Sequence, residues 1–360
     1  MTKILLNGRH AAIFLIISIA PCLGVAQSSL RYQAESASNH GILTNDYWAA
    51  QPLSSQAASV MGYLDVSIRG DWTIREQPVF IERRRVQTFT GNSNALMLAA
   101  VDKLDIKTLA TSQYPIRAKL DQFEWDALGV VFAGKNNLIE GFSWQLEPKL
   151  AKLKQFKSGD GEGTLSIKAD NSYLNGSLHR ESNASYGPLL QSKPLEMGYG
   201  TSADAMAQLN LQSWVLRLNV KNIWSKFDVS GAYASDRSYQ VLQSAGDIKF
   251  SQTPSVTGVY GQQDRTYKVP AIYKIGLLKE APFSYGGGVI GFDGQQMTWA
   301  QVGYQIGPNR FGATTYAFDN LAIDYRRDDL FIKGLSVGLI FQTGLNAKPS
   351  LQVQTIIYDF

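Results

Sequence analysis

The chain has 360 residues, 34 Lys+Arg against 30 Asp+Glu, a formal charge of +4 and a mean hydropathy of −0.14. A charge so close to balance excludes a polyanion-binding surface, and no recognised nucleic-acid motif is present. Beyond the first 26 residues no stretch supplies the ~18 consecutive apolar residues of a spanning helix. One Cys and three His leave little material for a disulfide or a structural zinc centre.

The first element is a leader. Lys3 and Arg9 form a positive segment, 11–20 is an apolar core, and Gly24 and Ala26 sit at the small-residue places of a cleavage site before Gln27. Residues 1–26 are therefore expected to be a signal peptide, and Pro21 before Cys22 argues against a lipoprotein. Removing them leaves 360 − 26 = 334 residues with two His, no Cys and a net charge of +2 (32 Lys+Arg against 30 Asp+Glu).

The remainder alternates. Leu30, Tyr32 and Ala34 oppose Arg31, Gln33 and Glu35, which predicts a first strand over 30–37, followed by a polar loop. Tyr63, Asp65, Ser67 and Arg69 take one parity and Leu64, Val66 and Ile68 the other, the pattern of a half-buried strand. Arg83, Arg84 and Arg85 cannot all face an apolar medium. Either Arg84 alone points outward near an interface, or the run lies in a turn. The functional reading is a cationic constriction; the plain one is a strand end reaching solvent. Residues 93–111 alternate at first but also fit a helical face, and only the rest of the chain favours a strand.

Residues 148–164 read as a basic segment, with Lys149, Lys152, Lys154 and Lys157, followed by a glycine-rich turn. A hairpin turn is predicted at Asp170–Asn171, and a long loop over 183–205. Trp214, Leu216, Leu218 and Val220 alternate with Val215, Arg217, Asn219 and Lys221; a turn at 222–226 then leads to Phe227, Val229, Gly231 and Tyr233. The last third reads as short hairpins. Ala300, Val302, Tyr304 and Ile306 share a face, as do Leu335, Val337, Leu339 and Phe341, with Gly307–Arg310 and Arg326–Asp329 as turns.

Seven Trp, 17 Tyr and 16 Phe suit aromatic rims around a membrane barrel, although β-proteins in general are rich in them. The closing stretch is LQVQTIIYDF, in which Ile356, Tyr358 and Phe360 share one strand face. It resembles the C-terminal β-signal of Gram-negative outer-membrane barrels, with Gln352 and Gln354 where that pattern prefers apolar residues. The resemblance implies a last strand that pairs with the first, recognition by the barrel-assembly machinery, and residence in the cell outer membrane among its lipids.

The expected fold is therefore all-β: a single closed antiparallel transmembrane β-barrel over 27–360, of about 14–16 strands at ~9–11 residues each, with polar loops. Closure satisfies main-chain polar groups that lipid would leave bare. The expected function is a porin-like channel for small polar solutes, with Arg83, Arg85, Arg217, Lys221 and Arg326 as lumen charges. The alternatives are a non-conducting structural or assembly barrel serving an export or surface system, and a barrel lipid hydrolase resting on Ser177 and His179. No GxSxG, HExxH or dinucleotide motif occurs, so no catalytic residue, metal or cofactor is assigned and no enzyme is expected. Homo-oligomerisation is left open.

Overall fold

The computed structural model describes residues 28–38, 59–95, 111–136, 139–168, 171–183, 198–244, 247–253, 262–279, 282–317, 320–329, 335–344 and 350–359. The expected signal peptide, His40 and Phe360 lie outside them. Eighteen strand segments form one sheet. In chain order they are β1 (Ser28–Ser38), β2 (Ser59–Ile74), β3 (Gln77–Asn92), β4 (Ser112–Val130), β5 (Phe132–Lys135), β6 (Phe142–Lys168), β7 (Asn171–Ser182), β8 (Gly198–Leu211) and β9 (Trp214–Ser244). Then follow β10 (Asp247–Thr253), β11 (Gln262–Tyr267), β12 (Ile272–Lys279), β13 (Phe283–Phe292), β14 (Gln295–Ile306), β15 (Asn309–Tyr316), β16 (Asn320–Arg327), β17 (Leu335–Gly344) and β18 (Ser350–Asp359).

Several segments are pieces of one barrel strand. β4 and β5 both pair with the same edge of β6. β7 and β8 lie end to end between β6 and β9, and β10, β11 and β12 lie end to end along the other edge of β9. The result is fourteen antiparallel strands. β1 pairs with β2 on one side and with β18 on the other, Leu30 opposite Tyr358 and Tyr32 opposite Ile356, so the sheet closes on itself. Closure removes both free edges, and with them the bare N–H and C=O groups that an open sheet would carry.

The two ends differ. The base is the end where β1 begins and β18 stops; tight turns at 75–76, 212–213 and 307–308 lie there. The opposite end, the crown, carries the longer connections and the far halves of β4, β6, β7, β9 and β10, which rise beyond their neighbours. The Asp293–Gly294 turn at the crown has φ of 50° and 77°, the pair of positive values that matches a two-residue hairpin to the twist of its strands.

Three sequence expectations change. Residues 148–164 lie wholly within β6; Lys149 faces inward and is buried, which a solvated loop does not allow. The expected turn at 222–226 is a bulge inside an unbroken β9. Asn222 has φ 54°, and the pairing slips between Ala203 and Ala205 opposite it. Residues 93–95 are helical where a strand was favoured, with 96–110 outside the described residues. In addition, β8 begins at Gly198, inside the stretch read as a long loop.

Alternation sets the two faces. Outward positions carry exposed apolar side chains, among them Leu128, Leu150, Leu216, Leu218, Ile275, Leu277, Val302, Ile323 and Ile356. Near the base the outer face is aromatic: Trp214 meets Tyr285 edge-on at 5.5 Å, and Phe311 meets Tyr325 at 5.1 Å. Tyr199 and Trp224 are exposed further up. Trp214 and Trp224 are ten residues apart on β9, about 25 Å apart along the barrel axis for a strand tilted as barrel strands are. That is the height of the apolar band of a membrane barrel.

Candidate functional site

The lumen is filled at mid-height. One apolar cluster includes Tyr63 from β2, Val86 from β3, Trp125 from β4, Phe156 from β6, Phe227 from β9, Ile290 from β13, Trp299 from β14 and Tyr316 from β15. Its rings meet from non-adjacent strands: Tyr63 and Phe292 at 6.1 Å, Trp125 and Phe227 at 5.6 Å, Phe156 and Tyr267 at 4.2 Å. Such contacts draw opposite walls together and displace water from this level.

On the base side of that layer lies a network of ion pairs. The Arg84 guanidinium donates from Nε and Nη2 to both oxygens of Asp65, each at 2.8 Å, and from Nη1 to Asp204 at 2.8 Å. Lys149 Nζ donates to Glu82 at 2.9 Å and to Asp204 at 2.8 Å. Lys221 Nζ donates to Glu35 and Asp65, both at 2.7 Å, and the Tyr63 hydroxyl donates to the other oxygen of Glu35 at 2.8 Å. Arg69 reaches Glu147 at 2.6 Å and lies 3.8 Å over the Phe80 ring. Arg84, Lys149, Lys221 and Arg69 thus meet Asp65, Glu82, Asp204, Glu35 and Glu147. Burial of so many charges is tolerable only because each is paired and hydrogen-bonded.

Polar cavities flank the apolar layer, two toward the base and one toward the crown. Toward the base, a cavity of about 170 Å³ bounded by the ion-pair network shares Gln33 and Asn219 with one of about 500 Å³ that runs down past Arg217, Lys274, Arg310 and Arg326. Toward the crown, a cavity of about 960 Å³ is lined by Asn92, Gln113, Arg117, Glu162, Asn175, Ser177 and Ser238.

Of the charges predicted for the lumen, Arg217, Lys221 and Arg326 border these cavities. Arg83 and Arg85 do not. They sit on the outer face, where Arg83 donates to Asp126 at 2.7 Å and Arg85 to Gln122 at 3.2 Å. It is Arg84 that points inward, 2% exposed. The parity is the reverse of the expected one because the inward position is where carboxylates from β2 and β8 converge, and nothing near Arg84 in sequence announces them. The sequence reading also missed Asp65, Lys149 and Asp204 as network members. Asp65 carried a signal, as a carboxylate on the inward parity of a good strand; Asp204 carried none.

Ser177 and His179 stand in the crown region. His179 Nδ1 bonds Asp236 at 2.5 Å, and Nε2 lies 3.2 Å from Glu181. Both ring nitrogens are held by carboxylates, so neither is turned to take a proton from Ser177. Among the described residues no group of three or more His, Cys, Asp or Glu is placed to hold a metal ion. Ile356 is exposed on the outer face, and Tyr358 is paired in the closing seam.

The fold and lumen define a closed fourteen-stranded antiparallel β-barrel with an occluded, charged interior. No protein-family model and no curated protein matches the chain. Among solved structures, it is similar to the deltaS2S3 mutant of TodX, a monoaromatic hydrocarbon channel, at 9% identity and a TM-score of 0.38. The match covers 92% of this chain and 88% of that one. At that identity and score the likeness is too loose to assign a function.

Proposed function

We propose that the protein is an outer-membrane barrel of porin-like type, a route for small polar solutes whose lumen is shut at mid-height in this conformation. One observation carries the reading: polar cavities lie on both sides of a single closed layer, inside a sheet whose outer face is apolar and aromatic-rimmed. A barrel built only as a wall has no need of wet space at both ends. The leader, together with Ile356, Tyr358 and Phe360 at the C terminus, supports export and recognition by the barrel-assembly machinery.

The second reading, a non-conducting structural or assembly barrel, is favoured by the layer itself, since its rings and ion pairs fill the lumen at this level. Planar-bilayer recording separates the two. Discrete but infrequent openings are expected from the purified protein, more frequent in Lys221→Met, which frees one cross-lumen tie. Silence from both proteins, with correct folding shown by circular dichroism, would leave the structural barrel.

A further inference from the structure

We infer that the base-side cavity is a binding site for a small anion carrying two or more carboxylate or phosphate groups. The inference names the solute class for the proposed channel and rests on that reading only for its biological purpose.

The first observation is charge. Four inward cations, Arg217, Lys274, Arg310 and Arg326, line the cavity with two carboxylates, Glu35 and Asp324; Lys279 belongs to the outer face, its Nζ 5.5 Å over the Tyr285 ring. Glu35 is shared among Lys221, Tyr63 and, at 3.5 Å, Lys274, and Arg326 meets Asp328 at 2.9 Å, so Lys274 and Arg326 are partly offset and a smaller excess of positive charge remains. The crown-side cavity has no such bias: among the described residues its charged lining is Arg117 and Glu162, paired in register. Arg217, Arg310 and Arg326 present forked donors suited to carboxylate and phosphate oxygens, and Lys274 adds a point charge deeper in.

The second observation is space. Gly276 on β12, Gly303 on β14, Gly312 on β15 and Gly338 on β17 all line the cavity. A side chain would not fit at three of them. A Cβ on Gly276 would strike the Trp299 ring, one on Gly312 the Asp324 carboxylate, and one on Gly303 would come within 2.6 Å of Ser284 Oγ. Bare backbone at these points lets Trp299, Asp324 and Ser284 lie against the wall rather than project further into the volume.

The third observation is a donor in waiting. Trp299 is 4% exposed and lines the same cavity. Its indole Nε1 is buried with no hydrogen-bond partner among the described residues, a state that costs free energy unless a ligand or water accepts from it. Lys274 Nζ lies 4.8 Å over the same ring, so an anion paired with Lys274 would sit beside the indole.

The test is a titration of the full-length protein in detergent with pyrophosphate and with citrate, followed by tryptophan fluorescence and by calorimetry. Saturable binding is expected, weakening with added salt. The Arg310→Gln/Arg326→Gln double variant should bind at least tenfold more weakly. Arg83→Gln/Arg85→Gln, which removes the same charge from the outer face, should bind as the wild type does. Trp299→Phe should lose most of the fluorescence change. Absence of saturable binding, or equal affinity in both double variants, overturns the assignment. Because the assay needs no conduction, silence in the bilayer would remove the channel reading and leave this one standing.

Discussion

Lys221 on β9 and Asp65 on β2 are 2.7 Å apart across the lumen, although four barrel strands lie between them along the wall. The contact fixes the cross-section of the barrel. A fourteen-stranded sheet closed as a circle would keep these side chains well apart; here the walls approach until an ammonium touches both Asp65 and Glu35. Asp65 in turn grips Arg84, and Arg84 grips Asp204 on β8. β1, β2, β3, β8 and β9 are thereby tied through the interior as well as through their backbone ladders.

Removing Lys221 should loosen that tie. Lys221→Met leaves two inward carboxylates short of a cation, and breaking a buried pair from one side typically costs ~3–5 kcal/mol. Lys221 keeps some solvent contact, so the lower part of that range is expected, read as a fall in urea midpoint in micelles. Asp65→Asn combined with Lys221→Met should cost less than the two single changes added, because the partners share one network. Strict additivity would show that the contact carries no coupling.

Arg84 and Arg83 are neighbours in sequence and should behave oppositely. Arg84→Met takes from Asp65 and Asp204 the buried guanidinium they share, leaving them Lys221 and Lys149 alone, and a loss of several kcal/mol is expected, on the order of 3–5. Arg83 pairs with Asp126 on the exposed outer face, where such a pair contributes below about 1 kcal/mol. Arg83→Gln should leave the unfolding midpoint almost unmoved. Equal destabilisation by the two variants would mean that the assigned faces are wrong.

This pair also shows what sequence could and could not reveal. Strand periodicity is a local property, so the apolar stripes at 64–68, 214–220 and 335–341 were legible, as were closure and an even strand number in the range of about 14–16. The direction a polar run faces is decided by partners remote in the chain. Arg84 is 120 residues from Asp204, and no local pattern links them. The glycine-rich stretch 158–163 read as a turn because glycine usually weakens strands; here it continues β6 between β4 and β7. The filling of the lumen was hidden for the same reason as Arg84: inward Trp125 and Phe227 are unremarkable in their own strands and become a plug only when they meet.

The crown region should respond to pH through His179. Partial burial opposes the charged ring, but the bond to Asp236 and the charges of Asp236 and Glu181 outweigh it, so the pKa is raised above 6.5. The other charged groups facing it are Asp160 on the adjacent strand β6 and Arg265, which holds Glu181 at 2.7 Å. A raised folded-state pKa means that the stabilisation is fully present below the unfolded value near 6.5 and is lost as pH rises through the higher folded value. Protection factors in Asn171–Ser182, with each exchange rate referred to the intrinsic base-catalysed rate at the same pH, should therefore be highest at mildly acid pH and fall above neutrality. His179→Gln should flatten that dependence; an unchanged profile in the variant would assign it to another group.

Asn222 marks the point where β9 changes phase between its lower and upper halves, and its backbone explains why a turn was expected there. At φ 54° it occupies the left-handed region that Asn and Gly tolerate and β-branched residues resist. Its N–H donates to Asp204 Oδ1 at 2.7 Å, so the bulge presents a main-chain donor to the carboxylate that also receives Arg84 and Lys149. Asn222→Gly keeps both the conformation and that donor. Asn222→Val keeps the donor only by holding a β-branched residue in a left-handed conformation, at a cost of ~1–2 kcal/mol more than Gly. Unfolding in micelles should rank wild type and Asn222→Gly above Asn222→Val. If Val were tolerated as well as Gly, the bulge would not need this conformation, and Asp204 would owe its place to Arg84 and Lys149 alone.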